Sequence, residues 1–281
     1  MATFILLHGS FHAAWNWHRV VPILRARGHR PVAIDLPAHG RDRHSPRRAS
    51  LSANVARVLE LIDQMEGDVV LVAHSRMGIV ISQAAEQRPG RIAGLVYLAA
   101  YLVPNGRAMM DYAVLDRESL VVQNVTPSLP SWMLRWLLRV TRHRAMRWLL
   151  ASTLPGFAQH HLLKPEVYRE ALYHDCGDEI TELARVLLEP EPNWAGFTPL
   201  RLSESRYGRV PKVYIECAQD RAVTPKLQRM MVQDTPCDRV FSMETSHSPF
   251  FSQPRGLVDL LVASFEVFEQ LGTARRANEC A

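Results

Sequence analysis

Lysine is nearly absent from this chain. Only Lys164, Lys212 and Lys226 occur, and arginine supplies the rest of the 33 cationic residues. Against 28 acidic residues the formal charge is +5, and no basic block is interleaved with aromatics in the manner of a nucleic-acid module. Nucleic acid is therefore not an expected partner. Long hydrophobic runs are missing too. No apolar run reaches the roughly 18 residues that a membrane span requires, so stable membrane insertion is not expected. The first apolar run, Phe4 to Leu7, follows no basic leader and is short, which argues against a secretory signal. Cysteine is scarce. Cys176, Cys217, Cys237 and Cys280 show neither metal-ligand spacing nor a disulfide framework, which suits a reducing, cytoplasmic setting. There is no internal repeat and no low-complexity segment.

What is present is a 281-residue chain with 47% apolar residues, enough for one large α/β domain with an insertion. Thr3 to Leu7, Pro31 to Ile34, Val69 to Val72 and Ile92 to Leu98 read as strands. Helical patterns separate them: Trp17 to Arg27, closed by Gly28; Leu51 to Met65, with apolar residues at 51, 55, 58, 59, 62 and 65; and a helix from Ile79 to Arg88. Alternation of this kind with short connections requires right-handed crossovers and a parallel sheet covered on both faces. From about Pro104 to Arg206 the pattern becomes helical with proline breaks and no convincing strand. Val210 to Cys217 and Arg239 to Met243 resume the strand pattern. Thr224-Pro225 is a helix start, and Leu257 to Leu271 is a last amphipathic helix before a loose polar tail, 272–281. The expected organisation is a core in two parts, 1–103 and 206–281, interrupted by a helical cap over 104–205. A cap inserted there would cover the carboxyl ends of the strands, where ligands of open α/β sheets bind.

The most informative stretch is Val69-Val70-Leu71-Val72-Ala73-His74-Ser75-Arg76-Met77-Gly78. It joins a buried strand to a helix through a tight turn with a serine at its apex, the arrangement of a nucleophile elbow. The turn would push the Ser75 hydroxyl out of the sheet and aim the Arg76 amide at a developing oxyanion. The usual spacing is G-x-S-x-G. Here Ala73 and Met77 occupy the two small positions and Gly78 comes one place late. The residues two before and two after the serine face each other across the turn, so Met77 is out of place. A serine nucleophile needs a base, and the base needs a carboxylate to hold its tautomer. In this chain order the acid should follow the strand after the insertion and the histidine should follow the last strand. Asp220 and His247 stand at those places. Glu216 is a rival acid, one step early. The second oxyanion donor should be the amide of Ser10, in the loop after the first strand. His8 and His12 in that loop are expected to order it.

These residues resemble a known family. Leu7-His8-Gly9-Ser10-Phe11-His12-Ala13-Ala14-Trp15-Asn16-Trp17, Leu24 to His29, Asp35-Leu36, Tyr214 to Asp220 and Ser246 to Ser252 are similar to the α/β-hydrolase branch that holds plant methylesterases, hydroxynitrile lyases and bacterial esterases. The resemblance covers about 1–103 and 206–281 and is weak over the insertion. It implies a mostly parallel six-stranded sheet, a Ser75–Asp220–His247 triad, an oxyanion hole from the Ser10 and Arg76 amides, a helical cap, and no metal or organic cofactor. The lyases of the branch carry a lysine directly after the catalytic histidine and a threonine at the place of Gly9. Here Ser248 and Gly9 stand there, which favours the esterase. Arg76 is unusual beside the nucleophile. Its guanidinium would either bind a substrate carboxylate or phenolate, or pair with an acid of the protein itself.

In the insertion, Trp132 to Leu150 places tryptophans, methionines and leucines on one side of a helix and Arg135, Arg139 and Arg142, with Arg147 as a further member, on another. The expectation is a cap helix with a solvated basic face; a dimer surface or a membrane-surface helix are alternative uses of it. Phe11, Trp132 and Trp136 are the expected substrate contacts. The reading that follows is a cofactor-independent serine carboxylesterase acting on a small to medium hydrophobic or aromatic ester, a methyl ester by resemblance. Two alternatives stay open: a lyase or cyclase-like tailoring enzyme using the same histidine base without an acyl-enzyme, and a non-catalytic ligand-binding protein.

Overall fold

A computed structural model describes residues 1–42, 45–126, 131–153 and 160–279. Six strands, β1 (Thr3–Leu7), β2 (Arg30–Ile34), β3 (Val69–His74), β4 (Ile92–Leu98), β8 (Lys212–Cys217) and β9 (Arg239–Met243), form one parallel sheet in the order β2-β1-β3-β4-β8-β9. The numbers β5 to β7 belong to short strands of the insertion: Val125–Thr126, His160–Leu163 and Glu191–Pro192.

The continuous apolar runs of the central strands have a simple cause. Side chains alternate between faces, and both faces are covered, so neither set can be polar. Ile5, Leu7, Val69, Leu71 and Ala73 enter one core with Val55, Val58 and Ile62 of helix Leu51–Gln64 and with the helix Gly78–Gln87. Phe4, Leu6, Val70 and Val72 enter the other with Val20 and Leu24 of helix Val20–Ala26 and Leu257, Val258 and Leu261 of the C-terminal helix. The helix ends follow local chemistry. Ser50 Oγ accepts from the Ala53 amide at 3.2 Å, and Thr224 Oγ1 accepts from the Leu227 amide at 3.4 Å with Pro225 in the first turn. Gly28, at φ +79°, closes the first helix region.

Two expectations are corrected. The insertion is not wholly helical: β5, β6 and β7 pair antiparallel in a three-stranded sheet. Strands of two to four residues are too short for an alternating pattern to register in the sequence. The polar tail is not loose over its described part, because the last helix runs from Pro254 to Glu279. Residues 280 and 281 lie outside the described residues. Among the described residues no helix is long and apolar enough to cross a membrane. Cys176, Cys217 and Cys237 are free thiols.

Candidate active site

β3 ends at His74, and the chain turns at once through Ser75–Met77 into the helix that begins at Gly78. Ser75 sits at φ +56°, a left-handed conformation that costs a non-glycine residue of order 1–3 kcal/mol and clusters at functional sites. Its carbonyl accepts from the Tyr101 amide at 2.9 Å, which ties the turn to the chain leaving β4. Met77 fits without difficulty. It has φ −74° and ψ 1°, is buried, and packs into the core beside the helix. The steric demand falls elsewhere. A Cβ at Gly78 would lie 2.3 Å from the Tyr101 carbonyl oxygen. One at Gly9 would lie 2.4 Å from His74 Nδ1 and 3.0 Å from Ser75 Cβ. The motif's small residues are thus needed at 9 and 78, and position 77 has room to send a methionine into the core.

Asp220, in the loop after β8, is buried and fully engaged. Its Oδ1 accepts from the amides of Ala222 at 2.7 Å and Val223 at 3.0 Å. Its Oδ2 accepts from His247 Nδ1 at 2.6 Å and from Gln228 Nε2 at 3.3 Å. A carboxylate only accepts, so Nδ1 of His247 carries a proton and Nε2 is the nitrogen left to face a substrate. Asp220 does not pair with its neighbour Arg221, which bonds Glu170 instead. The rival Glu216 points away within β8 and pairs with Arg229 at 2.6 Å. His247 is held from behind as well: its carbonyl accepts from His74 Nε2 at 2.8 Å.

Ser75 and His247 open into one cavity of about 250 Å³. Ser10, Phe11 and Arg76 line it too, as do Tyr101, His161 and Asn193. Its remaining wall is mainly aliphatic: Met109, Met110, Val114, Val121, Leu172 and Val223 are among its members. Trp132 and Trp136 are not. They are 64% and 47% exposed on the helix Ser131–Val140 and do not reach the cavity. Helical periodicity placed them on one stripe, but it carries no information about which way that stripe faces. Of the three expected substrate contacts, only Phe11 lines the cavity. Its ring meets His161 edge-on at 5.3 Å.

The histidines of the first loop serve its backbone. His8 donates from Nδ1 to the Gly9 carbonyl at 2.9 Å and accepts from the Leu36 amide at 3.2 Å. His12 donates to the Ser10 carbonyl at 2.8 Å and accepts from the Tyr173 hydroxyl at 2.6 Å. Burial above all lowers both, His8 to about 3 and His12 to about 4. Each is neutral at neutral pH, as its hydrogen bonds require.

Arg76 resolves into the second of its two readings. Its guanidinium is buried and pairs with Glu191 through Nη1 at 3.0 Å, while Nη2 donates to the Asn193 carbonyl at 3.1 Å. Glu191 also accepts from the Phe11 amide at 3.0 Å and from His39 Nε2 at 3.3 Å. Burial would raise this carboxyl, but Arg76 and His39 outweigh it and hold Glu191 below the usual carboxylate range. His39 donates its other nitrogen to the Pro37 carbonyl at 3.2 Å. Burial works against its charge, yet Glu191 prevails and raises it. Glu191 was not foreseen. The one available signal was Arg76 itself, because a guanidinium buried next to a nucleophile must find a carboxylate somewhere, and the sequence does not say where. Among the described residues no cluster of histidine, cysteine and acidic side chains could hold a metal ion.

Comparison with known proteins gives the family and the fold. Residues 4–260 match the model of the alpha/beta hydrolase family. Methylesterase 7 of Arabidopsis thaliana is 31% identical over 272 residues, covering 92% of this chain and 94% of its own. Methylesterase 1 of the same plant is 30% identical over 275 residues, covering 94% and 96%. Among solved structures, a pyrethroid hydrolase from Sphingobium faniae JZ-2 superposes with a TM-score of 0.77 at 24% identity over 94% of this chain and 97% of its own, a likeness of fold. Polyneuridine aldehyde esterase gives 0.76 at 22% identity over 94% and 98%. A parallel sheet with a left-handed serine at the end of its third strand, matched along nearly its whole length by methylesterases, places the chain in the alpha/beta hydrolase family, as an esterase of that superfamily.

Proposed function

We propose that the protein is a serine carboxylesterase, with Ser75 as nucleophile, His247 as base and Asp220 as the group that orients it. The observation that carries this reading is the 2.6 Å bond from His247 Nδ1 to the saturated Asp220 carboxylate. It leaves Nε2 of His247 at the cavity that a strained Ser75 also lines. In the forward step His247 takes the Ser75 proton as Oγ attacks the ester carbonyl. The amides of Ser10 and Arg76 receive the oxyanion. Collapse expels the alcohol, which takes the proton from His247. Water then attacks the acyl-enzyme by the same route and releases the acid. One ester and one water give one acid and one alcohol.

An aliphatic cavity of about 250 Å³ supports an ester of a small to medium hydrophobic acid. The methylesterases among the relatives support a methyl ester as the leaving end. The lyase alternative is disfavoured by residue 248, a buried serine where that chemistry uses a cation, and by the lack of room for a side chain at Gly9.

The test is labelling with a fluorophosphonate, peptide mapping, and a screen of methyl and p-nitrophenyl esters, on wild type and on Ser75→Ala. Stoichiometric label on Ser75, lost together with hydrolysis in the variant, is the expected result. A folded wild type that takes no label would refute the acyl-enzyme and return the reading to base chemistry by His247.

A further inference from the structure

The two amides proposed to receive the oxyanion lie on different loops, and both loops are gripped by one short segment of the insertion. Residue 11, next to Ser10, is a phenylalanine at φ +65°. A bulky residue does not hold that conformation unaided, since the left-handed region is strained for any side chain that carries a Cβ. Its backbone is pinned at both ends: the amide donates to Glu191 Oε2 at 3.0 Å, and the carbonyl accepts from the Glu189 amide at 2.9 Å. On the other loop, Arg76 reaches the same carboxylate through Nη1 at 3.0 Å and the Asn193 carbonyl through Nη2 at 3.1 Å. The segment is itself anchored. Strand β7 pairs with β6, with Glu191 opposite His161, and the Glu189 carboxylate accepts from the Gly40 amide at 2.6 Å.

We infer that Glu191 is a positioning residue for the oxyanion site, holding the Ser10 amide through Phe11 and the Arg76 amide through the Arg76 side chain. This rests on the serine-esterase reading above. The residue type follows from the task. Phe11, Arg76 and His39 present three donors to one point, and a carboxylate is the side chain that accepts from all three while balancing the buried charge of Arg76. The hydrogen bonds of the Asp220–His247 pair go to other groups, so Glu191 bears on the amides and not on the orientation of the base. Such donors stabilise charge only when aimed in advance at the position the oxyanion will occupy.

The test compares wild type with Glu191→Gln and with the double variant Arg76→Met/Glu191→Met. The double variant removes the Arg76–Glu191 ion pair whole, though it also takes the acceptor from His39 and the Phe11 amide, so each variant is first checked for folding by circular dichroism and urea unfolding. Two readouts are taken. One is kcat and KM on the best ester of the screen. The other is affinity for an alkyl trifluoromethyl ketone, which Ser75 converts to a tetrahedral oxyanion, against the corresponding methyl ketone, which it does not. Losing one oxyanion donor outright costs about 10²–10³ in rate, so misaiming them should cost about 10–10² in kcat. KM should stay within about threefold. Trifluoromethyl ketone affinity should fall in parallel with kcat while methyl ketone affinity holds. Equal loss for both ketones, or unchanged kcat in a folded variant, would overturn the inference alone. A wild type that takes no fluorophosphonate label would overturn the reading beneath it.

Discussion

Acid should unfold this protein steeply and early, because its active-site loops are held by histidines whose charged forms burial disfavours. His8 accepts the Leu36 amide at its free nitrogen, and His12 accepts the Tyr173 hydroxyl. His161 bonds Asn193 Oδ1 at 2.5 Å, and burial, with Arg76 nearby, lowers it to about 4. His74 gives Nε2–H to the His247 carbonyl and buries Nδ1 with no hydrogen-bond partner; burial, with His247 beside it, puts it well below its ordinary 6.5. Four groups depressed in the folded state contribute stability that is present above 6.5 and lost as the pH falls. Each proton bound only by the unfolded chain adds about 1.4 kcal/mol per pH unit, so four give a limiting slope of about 5 kcal/mol per unit. Integrated from neutral pH down to pH 5, the loss is about 8 kcal/mol, comparable with the whole stability of a typical domain, about 5–15 kcal/mol. His39 offsets part of this only above 6.5. Its value is raised, so its contribution is complete below 6.5 and disappears only as the pH rises through its folded value. Glu191, depressed, loses its contribution only below the ordinary carboxylate range. Urea titrations at half-unit intervals from pH 7.5 to 5 would measure the slope, and His12→Gln should reduce it by about a quarter. A slope below about 1.4 kcal/mol per unit between pH 6 and 5, the value for a single proton, would refute the reasoning.

Two further outcomes follow from the packing. Gly9→Ala would place a Cβ 2.4 Å from the His74 ring and 3.0 Å from Ser75 Cβ. It should cost about 1–3 kcal/mol in urea unfolding and at least about tenfold in kcat/KM, because the atoms forced to move carry the nucleophile and the support of His247. Trp132→Ala and Trp136→Ala, in contrast, alter exposed side chains outside the cavity. Unfolding free energy should stay within about 0.5 kcal/mol and kcat/KM within about twofold, as esterase assays on both variants would register.

The frame of the molecule was legible in the sequence because it is written in local patterns. Buried parallel strands are continuous apolar runs, and Val69 to Val72 reads that way at a glance. A helix start announces itself in Thr224-Pro225, and chain order alone set Ser75, Asp220 and His247 after the strands β3, β8 and β9. What tertiary structure decided was direction and partnership. The same helical stripe that holds Trp132 and Trp136 could have faced the cavity or the solvent, and only packing chose the solvent. Strands as short as Glu191–Pro192 have no period to read. Met77 offends a sequence rule about tight turns, yet the core leaves room for it and places the crowding at Gly9 and Gly78. Arg76 showed that a buried cation needs a partner. That the partner is Glu191, on a strand of the insertion far along the chain, follows from a contact between remote segments, which no local propensity encodes.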